Sequence, residues 1–136
     1  MISVRLNSFV FLLITCALGI GTVSLAHAIE GIERTELRRD VLTGKEGTEV
    51  IVVSQRFHPG AYMPRHTHHG DEFVYIIKGG TIEVPGPKLI PIKAGSSIRN
   101  VRDVPHGGFT VAGDKVIELI SIYIVDKGRP LMEIIE

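Results

Sequence analysis

The sequence predicts an all-β domain, either a sandwich or a barrel, and three observations support this fold class. Runs rich in β-branched residues recur along residues 48–125. Pairs such as Gly-Gly and Pro-Gly interrupt them at intervals of roughly eight to twelve residues, a spacing typical of short antiparallel strands. No segment after residue 28 shows the period of a long amphipathic helix. With 136 residues, the chain has the length of one domain with a core of its own.

The predicted elements alternate with turns along the chain. Residues 29–39 mix charged and apolar side chains and favour a weak helix or an irregular segment, and residues 42–47 form a turn. Strands are then predicted at residues 48–57, 72–77, 81–84, 89–92, 97–101 and 116–125. We find no linker, repeat or low-complexity tract after residue 28. These elements are therefore assigned to one domain, residues 29–136.

Two of the predicted strands, in residues 73–77 and 116–125, carry apolar side chains on both alternating faces. A sheet in a small sandwich has one inner face, so an apolar outer face needs a second cover. Two covers fit: the N-terminal segment folded over the outside, or the same face of a second copy of the chain. We favour the second cover and predict a homodimer.

The first 28 residues have the pattern of a secretory signal peptide. Arg5 precedes an uncharged, mainly apolar run over residues 6–23, and Ala26-His27-Ala28 supplies the small-x-small pattern that signal peptidase cleaves. A transmembrane anchor is the main rival because the run reaches the length of a membrane span. A lipid anchor on Cys16 is a weaker rival. Polar and glycine residues dilute the run, so we predict cleavage, export to the periplasm or the exterior, and no stable membrane anchor afterwards.

Removal of 28 of the 136 residues leaves 108 and takes away Arg5 and Cys16. Lys and Arg then fall from 15 to 14 against 15 Asp and Glu, so the domain has no basic excess with which to bind nucleic acid. Without cysteine it forms no disulfide and uses no thiolate as nucleophile or metal ligand. Its site chemistry must come from His, carboxylate, Tyr, Ser, Thr, Lys or Arg side chains.

Histidine is the informative residue of this domain. Five of the six histidines follow residue 28, and three of them fall within residues 66–69. On a strand His66 and His68 face the same side, about 7 Å apart, so their rings can converge on one metal ion. Glu72 follows a turn and can fold back to offer a carboxylate. A fourth ligand must come from elsewhere, and His106 is the only distant histidine downstream.

The spacing around these residues resembles a known family. The first cupin motif is matched at every fixed position by Gly60-x5-His66-x-His68-x3-Glu72-x6-Gly79. The core of the second cupin motif resembles Gly95 followed by Pro105-His106. This second match is looser, because the Gly-to-Pro spacing is long and Thr110 stands near the place of the usual Asn. The resemblance extends over roughly residues 50–124, and the chain looks like the small single-domain cupins that bacteria export.

This resemblance implies a double-stranded β-helix, or jelly-roll, barrel that holds one divalent metal ion. The ligands that it implies are His66, His68, Glu72 and His106, with coordination positions left open for a small molecule. Three imidazoles and one carboxylate suit Fe2+, Mn2+, Ni2+, Co2+ or Zn2+, and the donor set alone does not choose among them. The alternative is a cupin barrel whose histidines bind no metal.

We therefore expect a metal-dependent enzyme that acts on a small-molecule substrate. Dioxygenase-type oxidation is the first hypothesis, and isomerase or decarboxylase chemistry on an acidic substrate is the next. Glu72 and Tyr62 are the candidates for a catalytic acid or base. A different hypothesis is an exported cupin that captures a small ligand or a metal without turnover, since this fold hosts both kinds of protein. A structural or sensory role for the dimer surface is the third.

Four other polar residues have simpler interpretations. His58 is expected in a solvated turn, and His69 is expected to face away from His68, at the rim or on the surface. Arg65 and Arg99 could bind a substrate carboxylate, but exposed strand charges are the favoured interpretation.

Overall fold

A computed structural model describes residues 29–86 and 88–135, which form strands joined by turns, with no helix among them. The strands are β1 (Ile32–Leu42), β2 (Lys45–Phe57), β3 (Tyr62–Met63), β4 (His66–Thr67), β5 (Gly70–Lys78), β6 (Gly80–Val84), β7 (Lys88–Ile92), β8 (Ser97–Asn100), β9 (Phe109–Ala112), β10 (Ile117–Asp126) and β11 (Glu133–Ile134). The all-β prediction is confirmed. The predicted signal peptide, residues 1–28, lies outside the described residues. The described part of the chain offers no helix with the length and hydropathy of a membrane span.

The strands pair in an order far from their order in the chain. Five strands form one antiparallel sheet, β1-β2-β10-β5-β8, four form a second, β3-β9-β6-β7, and β11 pairs with β4. Strand β10 thus lies between β2 and β5, and β9 lies between β3 and β6. The predicted double-stranded β-helix, or jelly roll, is confirmed.

Alternation along the strands buries one face of each sheet in a shared core. On β5 Ile76 points inward, and on β10 Ile117 and Leu119 do the same. They form one cluster with Ile82 and Val111 of the four-stranded sheet. Each fully buried aliphatic side chain contributes about 1.5–3 kcal/mol to stability. This core fixes the two sheets that carry the polar site described below.

The N-terminal segment differs from the prediction. Residues 29–39 lead into β1, an edge strand paired with β2, and do not form the predicted helix or irregular segment. Pairing with the β2 backbone decides the conformation, and the charges are tolerated because most β1 side chains are exposed. A break in register at Leu37, flanked by Glu36 and Arg38, and the charged side chains protect the free edge of the strand from further pairing.

Short elements were the least predictable part of the fold. The turn between β1 and β2 is tighter than the predicted turn over residues 42–47, since it consists of Thr43 and Gly44, with a φ of +76° at Gly44. The sequence does not predict β3, β4, β9 or β11, which have two to four residues each. Strands of this length carry too little alternation to be recognised.

The outer face of the five-stranded sheet stays open. Phe73, Tyr75 and Ile77 on β5, with Ile122 and Ile124 on β10, are 38% to 53% exposed. Strand β1 extends this sheet at its edge and leaves the face uncovered. Among the described residues, the N-terminal segment is therefore not the cover that the apolar pattern requires.

Candidate metal centre

Three imidazole rings converge inside the barrel. His66 lies on β4, His68 follows two residues later, and His106 lies in the loop before β9. Their ring centroids are 4.3–4.8 Å apart, and one ligand atom from each ring lies within 4.8 Å of the others. His66 and His68 are buried, and the His106 side chain is 17% exposed. The cluster could hold a metal ion.

The backbone fixes the two parts of this cluster against each other. The N–H of His66 donates to the carbonyl of His106 at 2.9 Å, and the N–H of His106 donates to the carbonyl of His66 at 3.0 Å. These bonds form an isolated antiparallel bridge between distant parts of the chain. The relative position of the two histidines therefore does not depend on side-chain packing alone.

Each ring is oriented by a hydrogen bond to a backbone carbonyl. The Nδ1–H groups donate as follows: His66 to Pro64 at 2.7 Å, His68 to Leu131 at 2.5 Å and His106 to Val104 at 2.9 Å. Because a carbonyl oxygen only accepts, the proton of each neutral ring is on Nδ1, and Nε2 keeps its lone pair. Rings held in this way present Nε2 as a ligand atom.

The carboxylate of Glu72, on β5, faces the Nε2 atoms of two of the histidines. Its Oε2 lies 3.4 Å from Nε2 of His68 and 3.5 Å from Nε2 of His106. The same oxygen accepts a hydrogen bond of 2.6 Å from Nδ2 of Asn100, which is the register partner of Glu72 on β8. Pairing of β5 with β8 thus orients the carboxylate. The structure brings together all four residues that the sequence singles out as metal ligands.

The electrostatics of the cluster keep His66 neutral and Glu72 ionised. Burial lowers the pKa of His66 to about 4. Burial alone would raise the pKa of Glu72, but His106 and His68, which donate to it through Nε2–H when they are protonated, and the Asn100 amide hold its pKa well below the usual value. Burial alone would lower the pKa of His106, but the neighbouring Glu72 carboxylate raises it. Neutral imidazole and carboxylate are the forms that bind metal ions.

Two observations test whether these residues fit a divalent metal ion. The Nε2 atoms of His68 and His106 are buried and have no hydrogen-bond partner in the described part of the chain. An unpartnered buried polar atom costs about 1–3 kcal/mol, and a cation between the rings would remove this cost. Three imidazole nitrogens and one carboxylate also form a donor set that divalent transition metals accept. The residues therefore fit such an ion.

A cavity of about 150 Å³ lies beside the cluster. His66, Glu72 and His106 form part of its wall. Much of the remaining wall is apolar and comes from both sheets, with Phe57, Met63, Ile76, Ile82, Phe109 and Leu119 among its residues. A cavity of about this volume holds a molecule the size of one small ring.

One wall of the cavity is polar and leads from the histidines to an arginine. The Tyr123 ring lies 5.0 Å from the His68 ring, measured between centroids. Nε2 of Gln55 donates to Oη of Tyr123 at 3.2 Å and to Oγ of Ser121 at 2.8 Å, and Nε of Arg34 donates to Oε1 of Gln55 at 3.1 Å. Burial raises the pKa of Tyr123, so its phenol stays protonated. The wall thus offers a neutral hydroxyl near the cluster and a cation beyond it.

Gly107 allows the loop before β9 to approach the cluster. Its φ is +81°, and a Cβ atom there would lie 2.5 Å from the carbonyl oxygen of Pro64 and 3.0 Å from Nδ1 of His66. Those two atoms form the hydrogen bond that orients His66. A side chain at position 107 would therefore displace one of the converging rings.

The tyrosine that lines the cavity is Tyr123, and the predicted catalytic candidate Tyr62 lies elsewhere. Tyr62 is 53% exposed on β3, while its neighbour Met63 is buried at the cavity wall. Successive side chains on a strand point to opposite faces, so Tyr62 faces outward. This position does not support the catalytic role predicted for Tyr62.

The other polar candidates have surface positions. His58 pairs with Glu33, and Nε2 of His69 lies 2.7 Å from Oε1 of Glu133. Arg99, on β8, is exposed and pairs with Asp71. Arg65 is also exposed as expected, but it lies between β3 and β4 and not on a strand. Neither arginine lines the cavity.

A family model described as the cupin domain matches residues 53–123, which is more than half of the chain. The chain belongs to the cupin family. The predicted resemblance is thereby confirmed, and comparison with curated proteins found no match.

Solved structures similar to this cupin share its fold. The polyketide cyclase RemF from Streptomyces resistomycificus is 16% identical with a TM-score of 0.58, over 79% of this chain and 73% of that chain. A cupin-like protein from Thermotoga maritima is 22% identical with a TM-score of 0.55, over 76% and 75% of the two chains. The DMSP lyase DddQ from Ruegeria pomeroyi is 16% identical with a TM-score of 0.52, over 72% of this cupin and 49% of the lyase. At these identities the likeness shows the fold alone.

Sequence analysis misses five polar residues of the cavity wall, Arg34, Gln55, Asn100, Ser121 and Tyr123. Tyr123 could have been found, because it shares the face of Leu119 on a strand that the sequence predicts. Arg34 and Asn100 lie on the edge strands β1 and β8. Their inward direction depends on the register of these strands with their neighbours, which one sequence does not specify.

Proposed function

We propose that this cupin is a metal-dependent enzyme that acts on a small, mainly apolar molecule in the cavity. His66, His68, Glu72 and His106 would hold one divalent ion. The observation that carries this proposal is the pair of buried, unpartnered Nε2 atoms beside a carboxylate at the wall of a cavity. A purely structural metal site is closed by its ligands, whereas this one borders space for another molecule.

A divalent ion bound there would supply a Lewis-acid centre and, as Fe2+, the capacity to activate dioxygen. The apolar walls bind the body of the substrate and exclude water. Asn100 holds the Glu72 carboxylate in place through the 2.6 Å hydrogen bond. The protonated phenol of Tyr123 can donate a hydrogen bond to a substrate group on which negative charge develops.

Dioxygenase-type oxidation is our first proposal for the reaction, because three histidines and one glutamate beside an apolar cavity resemble the site of cupin dioxygenases. Isomerase or decarboxylase chemistry on an acidic substrate is the second, and the cation at the cavity wall, Arg34, favours it. Barrels of similar fold include proteins named as a polyketide cyclase and a DMSP lyase, so this fold supports more than one reaction class.

Oxygen uptake tests the enzyme proposal and separates the reaction classes. Protein loaded anaerobically with Fe2+ is mixed with aerated buffer and a panel of small acids and their neutral analogues. Substrate-dependent oxygen consumption is the expected result, and product formation without oxygen uptake would indicate an isomerase or a decarboxylase. Bound metal with no conversion of any compound, with Fe2+, Mn2+, Ni2+, Co2+ or Zn2+, would contradict the enzyme proposal and support a non-catalytic binding protein.

We also propose that residues 1–28 direct export and are removed. Ile29 packs against the core, so cleavage after Ala28 would leave the described domain intact. Intact-mass analysis of protein recovered from the periplasm or the medium is expected to show a chain that begins at Ile29. Replacing Ala28 with arginine should block cleavage, because signal peptidase requires a small residue there. Recovery of the uncleaved wild-type chain from the membrane fraction would contradict this proposal.

We propose that the open face of the five-stranded sheet binds the same face of a second copy. An exposed apolar patch of this kind marks an interaction surface. When the same patch on two copies of the chain packs together, the dimer has two-fold symmetry. Ile122 is the register partner of Phe73, and both residues are exposed on this face.

Ile122→Glu is expected to convert the dimer into monomers, because the substitution buries an unpaired carboxylate at the interface. Sedimentation velocity measures the change. Leu89→Glu is the matched control, since Leu89 is 62% exposed but lies on β7 of the other sheet. Wild-type protein that sediments only as a monomer would contradict the proposed dimer.

A further inference from the structure

Of the arginines in the described residues, Arg34 alone lies at the cavity wall, and few strong acceptors surround it. Its Nε donates to Oε1 of Gln55 at 3.1 Å. Its Nη2 lies 3.8 Å from Sδ of Met63 and 3.9 Å from Sδ of Met132. A guanidinium has five N–H donors, and thioether sulfur is only a weak acceptor. Much of the donor capacity of Arg34 is therefore unused within the described part of the protein.

Arg34 also lacks the counter-ion that most arginines of this domain have. Six others pair with a carboxylate, namely Arg38, Arg39, Arg56, Arg99, Arg102 and Arg129. Arg34 forms no salt bridge within residues 29–86 and 88–135, although it is partly buried. Arg65 likewise has none in these ranges, but it is exposed and water solvates it. Burial of a cation without a counter-ion is unfavourable, so a negative group from another molecule would stabilise Arg34.

We propose that Arg34 binds the carboxylate of a small acid whose apolar body lies in the cavity. This inference rests on the proposed function in taking the cavity as the substrate site. A carboxylate offers two acceptor oxygens that match the edge of a guanidinium group. The apolar side chains around the cavity suit the remainder of such a molecule. Arg34 thus determines specificity and positions the substrate.

The polar wall also sets the direction in which the acid lies. Gln55 fixes Nε of Arg34 on one side and bonds to Tyr123 on the other, and the Tyr123 ring contacts that of His68. Two side chains therefore separate the arginine from the histidine cluster. An acid with its carboxylate on Arg34 directs its opposite end toward the histidines, and chemistry takes place at that end. A decarboxylation there would act on a second carboxylate of the substrate.

Matched pairs of acids and amides test this inference by calorimetric titration. The probes are benzoate with benzamide and isobutyrate with isobutyramide, which differ little in shape but differ in charge. We expect wild-type protein to bind at least one acid about tenfold more tightly than its amide, the effect of a charged hydrogen-bonded pair. Arg34→Met should abolish this preference, and Arg34→Lys should retain part of it. Arg38→Met, on the same strand but exposed and paired with Asp40, should leave the preference unchanged.

Gln55→Glu provides a second variant that keeps the arginine. The new carboxylate would pair with the Arg34 guanidinium and compete with the acid. Acid binding should therefore weaken about tenfold, while amide binding changes little. An acid preference that survives both Arg34→Met and Gln55→Glu would overturn the inference, as would wild-type protein that binds no acid more tightly than its amide. The titrations are run on metal-loaded protein and again after chelation. A preference that persists in chelated protein supports the role of Arg34 even if the protein fails to act as a metal-dependent enzyme.

Discussion

Replacing His106 with alanine is expected to abolish tight binding of a divalent metal ion, and His66→Ala should have the same effect. Each change removes one of the four proposed ligand side chains. Backbone hydrogen bonds and one carbonyl hydrogen bond to each imidazole hold the three histidines in position. Loss of a ligand should exceed the 10–100-fold loss typical of an outer-shell partner, so we expect a fall of more than about 100-fold in affinity. Titration against a competing chelator measures it.

His58→Ala is the matched control for both variants. Its ring pairs with Glu33 at 2.8 Å and lies outside the cavity, so this variant should bind metal as the wild type does. The backbone bridge between positions 66 and 106 does not need the imidazoles, and thermal melting of the metal-free variants checks that the barrel still folds. Wild-type affinity in either His66→Ala or His106→Ala would refute the ligand assignment.

Gly107→Ala is expected to destabilise the domain and to weaken metal binding, although residue 107 has no side chain that could be a ligand. A left-handed φ of +81° is unfavourable for alanine, and its Cβ would lie 2.5 Å from the carbonyl oxygen of Pro64. We expect the free energy of unfolding to fall by about 2 kcal/mol or more. Displacement of the Pro64–His66 hydrogen bond should lower metal affinity about 10–100-fold, as for other outer-shell changes. Denaturant unfolding and chelator competition measure the two effects.

Gly44→Ala is the control that separates the cost of a left-handed backbone conformation from the effect of the close contact at residue 107. Gly44 has a similar φ of +76°, but nothing lies within 4 Å of the position that its Cβ would take. This control should lose only the roughly 1–2 kcal/mol of an unfavourable left-handed residue, with metal binding unchanged. If Gly107→Ala behaves like Gly44→Ala in both measurements, the close approach of this loop has no role in orienting His66.

The longer strands and the convergence of the histidines were predictable because each depends on local pattern. Runs of β-branched and aromatic residues between turn signals identify β5 and β10 at residues 72–77 and 116–125. The period of two along a strand places His66 and His68 on one side. The spacing of the motifs and the scarcity of other ligand residues in the sequence single out Glu72 and His106 as candidates. The buried Nε2 atoms and the carbonyl partners of each Nδ1 could not be predicted, since they depend on how distant segments meet.

The errors fall where tertiary pairing overrides local preference. The charged residues 29–39 predict a weak helix or an irregular segment, yet most of them form β1 because an edge strand needs only backbone pairing and tolerates exposed charge. That strand also brings Arg34 to the cavity wall, a position that the sequence does not predict. Sequence analysis names Tyr62 as a candidate and does not name Tyr123; strand alternation places Tyr62 on the outer face, while Tyr123 lines the cavity.

The metal content of protein purified from the periplasm or the medium, to which we propose it is exported, tests the central claim most directly. We predict about one equivalent of a divalent transition metal per chain, held by His66, His68, Glu72 and His106 and removed by a strong chelator. Elemental analysis measures it, before and after anaerobic reconstitution. Less than roughly a tenth of an equivalent, with no uptake on reconstitution, would contradict the account.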